Sequence, residues 1–288
     1  MEYVTLANGN TMPVLKFGVF QVPDHDLCKQ IVVDAIKVGY RAIDTAASYM
    51  NEKAVGEGIK EAIDQGLVTR EELFITSKMW VQDMKNYDMA AKAIDTSLNN
   101  LGLDYLDLYL EHQAMGDYFA AWRAMEDAYK AGKLKAIGVS NFFPNILANF
   151  CETVEIKPMV NQVELHPFFA QQLSVDTCKK YGVVPEAWAS LAEGKHGIFT
   201  HPVLTEIGNK YGKTAAQVAL RWNVQRGVVV VTKSTHSERM IQNMDVLDFN
   251  LTEEEMNAVS ALTLDHSEII NHFDPNLVAF ICNRNIHD

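Results

Sequence analysis

Two rhythms of apolar residues alternate along the chain. A short run of β-forming residues comes first, and then a stretch whose apolar positions fall three and four apart. Lys16 to Phe20 is the first such run. Asp24 to Val38 follows as a helix, with Cys28, Ile31, Val32, Ala35 and Ile36 on one face and Gly39 as its stop. Tyr40 to Thr45 reads as a strand and Asn51 to Ile63 as a helix. Leu73 to Ser77 is a strand, and the next helix sets Ala91, Ile94 and Leu98 on one side. Leu106, Leu108 and Leu110 alternate in a further strand. Tyr118 to Ala131 is a helix with Trp122, Met125 and Tyr129 in register, closed by Gly132. Lys135 to Val139 and Met159 to Val163 are strands, the second followed by a helix from Gln171 to Lys180. Val183 to Trp188 is again a strand. Thr214 opens a helix with Gln217 three residues on, a reciprocal capping pattern, and Ala215, Val218, Ala219 and Trp222 lie on its face. Val228 to Val231 is the last clear strand.

This makes about eight strand–helix units, each near the ~30 residues of a βαβ element. Repeated right-handed units form either an open doubly wound sheet or a closed barrel. Eight of them in 288 residues favour the (β/α)8 TIM barrel. Val4-Thr5-Leu6 and Met12-Pro13-Val14 around Asn8-Gly9-Asn10 predict an N-terminal β-hairpin, placed to cover the barrel floor. No Pro/Ser-rich linker divides the chain, so residues 1–288 read as a single barrel domain. The tail after Leu262 shows no periodicity and is expected on the surface, with its stretch around His272 to Phe280 helping the loops at Trp80 to Asp88 and Gln113 to Phe119 to shape the pocket.

Composition narrows the function classes. The formal net charge is −12, from 25 Lys and Arg against 37 Asp and Glu. Binding a polyanion needs a surplus of cations, so nucleic acid and anionic membrane are excluded as bulk partners. No apolar run approaches the ~20 residues of a membrane helix. Met1 to Thr5 shows no basic segment leading into an apolar run, so no secretion signal is expected. Cys28, Cys151, Cys178 and Cys282 are scattered and form no C-x-x-C pair. Isolated thiols suit a reducing compartment, and a cytoplasmic protein is expected.

In a barrel of this kind the working residues sit at the C-terminal ends of the strands and in the loops beyond them. That rule selects Asp44 at the end of the second predicted barrel strand and Tyr49 just after it. It also selects Lys78 on the third strand and His112 on the fourth. The four together suit proton donation to a carbonyl oxygen. A phenol with a pKa near ~10 is a reluctant acid, and a nearby ammonium lowers it by stabilising the phenolate. A carboxylate holds the ammonium charged, and a histidine N–H can orient the carbonyl.

Arg41-Ala42-Ile43-Asp44-Thr45-Ala46 with Tyr49 and Asn51-Glu52 resembles the signature of the aldo-keto reductases. Thr76-Ser77-Lys78 with Trp80, Gly138-Val139-Ser140-Asn141-Phe142 and Asn161-Gln162-Val163-Glu164 resemble three more of its motifs. Lys233-Ser234 followed by Arg239 resembles the C-terminal one. Leu110-Glu111-His112-Gln113 and Glu186-Ala187-Trp188-Ala189 look most like the microbial branch that includes 2,5-diketogluconate reductases. The resemblance implies NADPH-dependent reduction of a small aldehyde or ketone. Tyr49 would donate the proton, Lys78 would tune it, Asp44 would hold Lys78 and His112 would orient the carbonyl. Ser140, Asn141 and Gln162 would bond the nicotinamide carboxamide, and Trp188 would stack on its ring. Phe20, Trp80 and Gln113 would line the substrate pocket.

No G-x-G-x-x-G follows a strand, so a Rossmann phosphate cradle is not expected. Lys233, Ser234 and Arg239 instead cluster after the eighth barrel strand, where barrels commonly bind phosphate, and their charge suits a 2′-phosphate. Asn243 is an adenine-side candidate.

The chain departs from the family pattern at several places. Lys16 stands where a glycine commonly precedes Phe17-Gly18, and Glu111 replaces an apolar residue beside His112. Ala114, Ser190 and Thr232 stand where prolines are common. Pleat alternation turns Glu111 away from His112 into the layer between barrel and helices. There it must find a cation or keep its proton.

Two other readings are weighed. Glu111-His112 and Glu164-Leu165-His166 could serve a metal-dependent barrel hydrolase or isomerase, but no H-x-H follows the first barrel strand. A regulatory protein that binds the cofactor without turnover is the second, and the intact Asp44, Tyr49, Lys78 and His112 argue against it.

Overall fold

Eight short strands pair in parallel until the last returns to the first, and none exceeds six residues. A computed structural model describes residues 1–287. The chain opens with β1 (Tyr3–Thr5) and β2 (Thr11–Pro13), and the barrel staves follow. These are β3 (Leu15–Gly18), β4 (Ala42–Asp44), β5 (Phe74–Met79), β6 (Leu108–Glu111), β7 (Ile137–Ser140), β8 (Val160–Glu164), β9 (Val184–Trp188) and β10 (Val229–Thr232). β10 closes the ring by pairing Val230 with Leu15. Every residue of β3 to β8 is buried. That is what a parallel sheet covered by helices on one face and filled by its own side chains on the other requires.

The helices between the staves begin and end where local chemistry dictates. In α1 (His25–Val38) the Asp24 carboxylate accepts from the Leu27 amide at 2.8 Å, and Gly39 ends the helix at φ 119°. α2 (Glu52–Asp64) is wedged between its neighbours. A Cβ at Gly56 would lie 2.2 Å from the Leu101 carbonyl oxygen, so this contact admits only glycine. α4 (Tyr118–Lys130) and α6 (Gln172–Tyr181) match the predicted stretches within one residue, and α3 (Tyr87–Leu101) buries Ile94 and Leu98 of its predicted face. In α8 (Ala215–Gln225) the Thr214 and Gln217 cap is reciprocal, as the sequence predicts.

Five helices escape the periodic reading. They are α5 (Pro144–Thr153), α7 (Pro202–Tyr211), α9 (Ser237–Met244), α10 (Glu253–Ser260) and α11 (Pro275–Asn283). Each is ten residues or fewer, so its apolar face repeats only two or three times. The tail lies at the surface as expected, but α11 anchors it: Ile281 is buried with Trp80, Val81 and Met115 in a second core over the barrel mouth.

β1 and β2 form the expected hairpin, with Val4 opposite Met12. Asn8 and Asn10 both donate to the carbonyl of Lys135, just ahead of β7, which fixes the hairpin at the N-terminal end of the barrel. Among the described residues no helix is long and apolar enough to cross a membrane.

Candidate active site

The opposite, C-terminal end of the barrel opens into a cavity of about 700 Å³. Asp44 is the last residue of β4, and Tyr49 follows in a single 3-10 turn over Ala47–Tyr49. Lys78 lies one residue before the end of β5, and His112 one residue after β6. These four come together at the cavity floor. Lys78 Nζ donates to Asp44 Oδ1 at 2.5 Å, to the Thr45 carbonyl at 3.0 Å and to the Tyr49 hydroxyl at 3.2 Å. Tyr49 and His112 meet edge to face, 5.7 Å between ring centres. Ser48 approaches His112 Nδ1 at 3.2 Å.

Burial and charge compete at this floor. Burial pushes the Tyr49 phenol up, Lys78 pulls it back, and Asp44 pushes it up again, leaving it above its ordinary value. The depression that an ammonium alone would cause is therefore outweighed by desolvation. For Lys78, burial favours loss of the proton, but Asp44 and Tyr49 more than reverse this and keep the ammonium charged. Burial, then Lys78, Arg284 and His272, hold the His112 imidazole well below its usual pKa. His112 is thus neutral at pH 7, able to donate one N–H and accept at its other nitrogen.

The residues assigned to the cofactor form one wall. Ser140 donates to the Gln162 carbonyl at 2.7 Å. Asn141, left-handed at φ 62°, donates to Ser140 Oγ at 3.1 Å and to the His112 carbonyl at 3.0 Å. Gln162 Nε2 donates to Asp44 Oδ2 at 2.9 Å. Trp188 is half-buried at the end of β9 with its ring on the cavity. Lys233 also lines the cavity, while the Ser234 hydroxyl accepts from the His236 amide at 3.0 Å. Arg239 is exposed on α9 and Asn243 is buried in its last turn, both outside the cavity lining. Gly18 and Val231 also line the cavity, and a Cβ on Gly18 would meet Val231 Cγ1 at 2.8 Å. A hydroxyl and two amides beside a flat indole, with the Lys233 ammonium at one end, fit the carboxamide, ring and phosphate of NADPH.

On the substrate side, Phe20 packs on Tyr49 at 4.9 Å and Trp80 on His112 at 5.4 Å. Gln113 meets His272 at 3.0 Å. The Trp80 indole donates to the Arg284 carbonyl at 2.8 Å, and the Arg284 guanidinium lies 5.8 Å from the indole ring. Ser48 and Arg284 are site residues that the sequence reading passes over, while His272 lies in the tail segment expected to shape the pocket. The helix signal that could have found the tail residues is Asp274-Pro275, a cap followed by proline at the first position.

The departures have distinct fates. Lys16 points into the barrel and pairs with Glu186 at 3.0 Å. Ser190 donates to the Val231 carbonyl at 2.7 Å, and Thr232 bonds the Tyr40 hydroxyl at 3.0 Å. Neither hydroxyl exists in a proline. Nothing in the structure explains Ala114. Glu111 is fully buried and neither oxygen has a hydrogen-bond partner. Burial, then Asp117, push its carboxyl well above the usual range, so it keeps its proton. The two pairs weighed as metal ligands do not converge. Glu111 is turned away from the cavity, and Glu164 bonds His166 at 3.0 Å and Ser267 at 2.5 Å.

Known proteins resemble this chain over most of its length. The profile of the Aldo/keto reductase family matches residues 15–263. Glyoxal reductase of Bacillus subtilis is 48% identical over 265 residues, which cover 92% of this chain and 94% of that protein. Methylglyoxal reductase DkgA of Escherichia coli is 40% identical over 262 residues, covering 90% and 92%. The crystal structure of Bombyx mori aldo-keto reductase (AKR2E4) in complex with NADP superposes with a TM-score of 0.89 at 37% identity. It covers 94% of this chain and 95% of its own.

Proposed function

The chain belongs to the aldo/keto reductase family, and on that premise we propose that it reduces small aldehydes and ketones to alcohols with NADPH, Tyr49 giving the proton. The observation that carries this reading is the line Asp44–Lys78–Tyr49 on the cavity floor, with 2.5 Å and 3.2 Å between its polar atoms.

NADPH supplies the hydride when bound. The rest of the chemistry falls to side chains of this chain. Ser140, Asn141 and Gln162 would hold the carboxamide, and Trp188 would stack on the ring. Lys233 and Arg239 would provide charge for the 2′-phosphate. The neutral His112 donates an N–H to the substrate oxygen and sets its direction. The Tyr49 O–H bond breaks and a new O–H bond forms on that oxygen as it gains negative charge. Lys78 stabilises the phenolate left behind, and Asp44 keeps Lys78 protonated. Phe20 and Trp80 shield the reacting atoms from water.

Glyoxal and methylglyoxal, the substrates named for two of the relatives, are the first compounds to test, within the branch that includes 2,5-diketogluconate reductases. The reading includes one barrel domain and a reducing cytoplasm, supported by four cysteines that form no disulfide.

The test is NADPH oxidation followed at its absorbance band with methylglyoxal. The wild type turns over, and Tyr49→Phe loses about 10²–10⁴-fold in kcat while keeping NADPH affinity, the usual worth of a positioned acid. NADPH binding without turnover by the wild type, across a panel of carbonyl compounds, favours the regulatory alternative instead.

A further inference from the structure

A second ammonium lies in the barrel beneath the first, and the proton transfer described above does not use it. Lys16 on β3 is fully buried, where a glycine is common in the family. Its Nζ donates to Thr76 Oγ1 at 2.8 Å and to both Glu186 oxygens at 3.0 Å, and lies 3.9 Å from Asp44 Oδ2. Asp44 Oδ1 holds Lys78. Gln162 Nε2 bridges the carboxylates, 2.9 Å from Asp44 Oδ2 and 2.6 Å from Glu186 Oε1.

The charges therefore alternate along one line, from Tyr49 to Lys78, Asp44, Lys16 and Glu186. β3 contributes Lys16, β4 Asp44, β5 Thr76 and Lys78, and β9 Glu186. His112 faces Tyr49 from the end of β6. Ser140 of β7, Gln162 of β8 and Thr232 of β10 are uncharged. Two cations balance two anions. With glycine at position 16, Glu186 would leave the line one negative charge in excess. In a low-dielectric interior such an excess is felt by neighbouring titrating groups.

We propose that Lys16 is a positioning residue for the reduction, cancelling Glu186 and sharing Asp44 so that the acidity of Tyr49 answers to Lys78 and one carboxylate rather than two. Lys16 takes no part in the transfer itself. The proton that moves leaves the Tyr49 oxygen and ends on the substrate oxygen. A merely structural ion pair would need Glu186 alone. The approach to Asp44, the carboxylate that holds Lys78, links Lys16 to the phenol. The inference rests on Tyr49 being the acid, and its test separates the two.

Three variants read the charge balance: Lys16→Met, Glu186→Gln and the double variant. The primary readout is the phenolate absorbance of Tyr49 in the free protein, taken as the difference between each protein and the same protein carrying Tyr49→Phe. The second is the alkaline limb of kcat/KM for carbonyl reduction. Lys16→Met should move both upward by roughly half to one pH unit, less than the 1–3 units of a charge in direct contact. Glu186→Gln should move both downward by a similar amount. The double variant should return near the wild type, and Lys16→Arg should stay there. If Lys16→Met fails to fold, the downward shift of Glu186→Gln and its reversal in the double variant decide the matter. Folded variants whose titration does not move, or single variants that shift in the same direction, overturn the proposal. Full turnover by Tyr49→Phe would instead sink the acid assignment, whatever the titration shows.

Discussion

The indole N–H of Trp188 donates to the amide oxygen of Asn141 at 2.9 Å. The ring assigned to stack on the nicotinamide is thus held by a residue assigned to its carboxamide. Asn141 sits at φ 62° and spends its amide nitrogen on Ser140 and the His112 carbonyl, so it ties three parts of the wall together. Asn141→Gly keeps the backbone geometry and removes the tether. Losing it should weaken NADPH binding by about tenfold or more, the worth of a hydrogen bond whose partner is left unmet. Quenching of tryptophan fluorescence during NADPH titration measures this, and unchanged affinity would show that Trp188 needs no tether.

The neutral state of His112 has a pH signature. Its folded pKa is depressed by burial first and then by Lys78, Arg284 and His272. The unfolded chain therefore takes up this proton first as pH falls below ~6.5, so the group's contribution to stability declines on the acid side. Activity that needs neutral His112 should hold down to pH values below ~6. Arg284→Ala removes one of the cations and should move the acid limb of kcat/KM upward. A limb that stays in place would show that burial and Lys78 alone set it.

Glu111 gives the opposite slope. Its folded pKa is raised by burial and Asp117. Below ~4.3 both states are protonated. As pH rises past that point only the unfolded chain ionises, and stability is lost until the folded pKa is reached. Glu111→Leu restores the apolar side chain common in the family at this position. It should raise Tm by at least ~2 °C at pH 8, corresponding to about 1 kcal/mol, and by less at pH 5. Equal gains at both pH values in a calorimetric scan would mean that the carboxyl does not titrate as the burial implies.

Lys233 and Arg239 should matter for one phosphate. Replacing either with alanine should raise the KM for NADPH by about tenfold and leave that for NADH nearly unchanged, since a charged hydrogen bond contributes about 1.5–3 kcal/mol. Lys233 lines the cavity and donates to Gln21 at 3.4 Å, while Arg239 stands on the exposed side of α9. An unaltered NADPH to NADH ratio in Arg239→Ala would remove that residue from the phosphate site.

The long amphipathic helices and the strand ends were legible in the chain because their signals are local. Asp44, Tyr49, Lys78 and His112 could be named by counting strands, since a closed barrel puts all such ends at one mouth. The pairing of Lys16 with Glu186 could not, because 170 residues separate them and no local pattern records which inward-facing side chains meet on the axis. Arg284 was missed for a related reason. Its segment has one short helix, whose burial comes from Trp80 and Met115 on distant loops. Glu111 lay between these cases. Its alternation with His112 predicted its direction, but only the surrounding packing could show that no cation waits there.

The ring of polar groups inside the barrel has a consequence for any broken form of the chain. Asp44 and Gln162 share a hydrogen bond across 118 residues, so one cut between positions 45 and 161 leaves them on different pieces. Neither piece would then hold the reaction centre. Turnover recovered on mixing two such fragments would report their reassembly into a whole barrel.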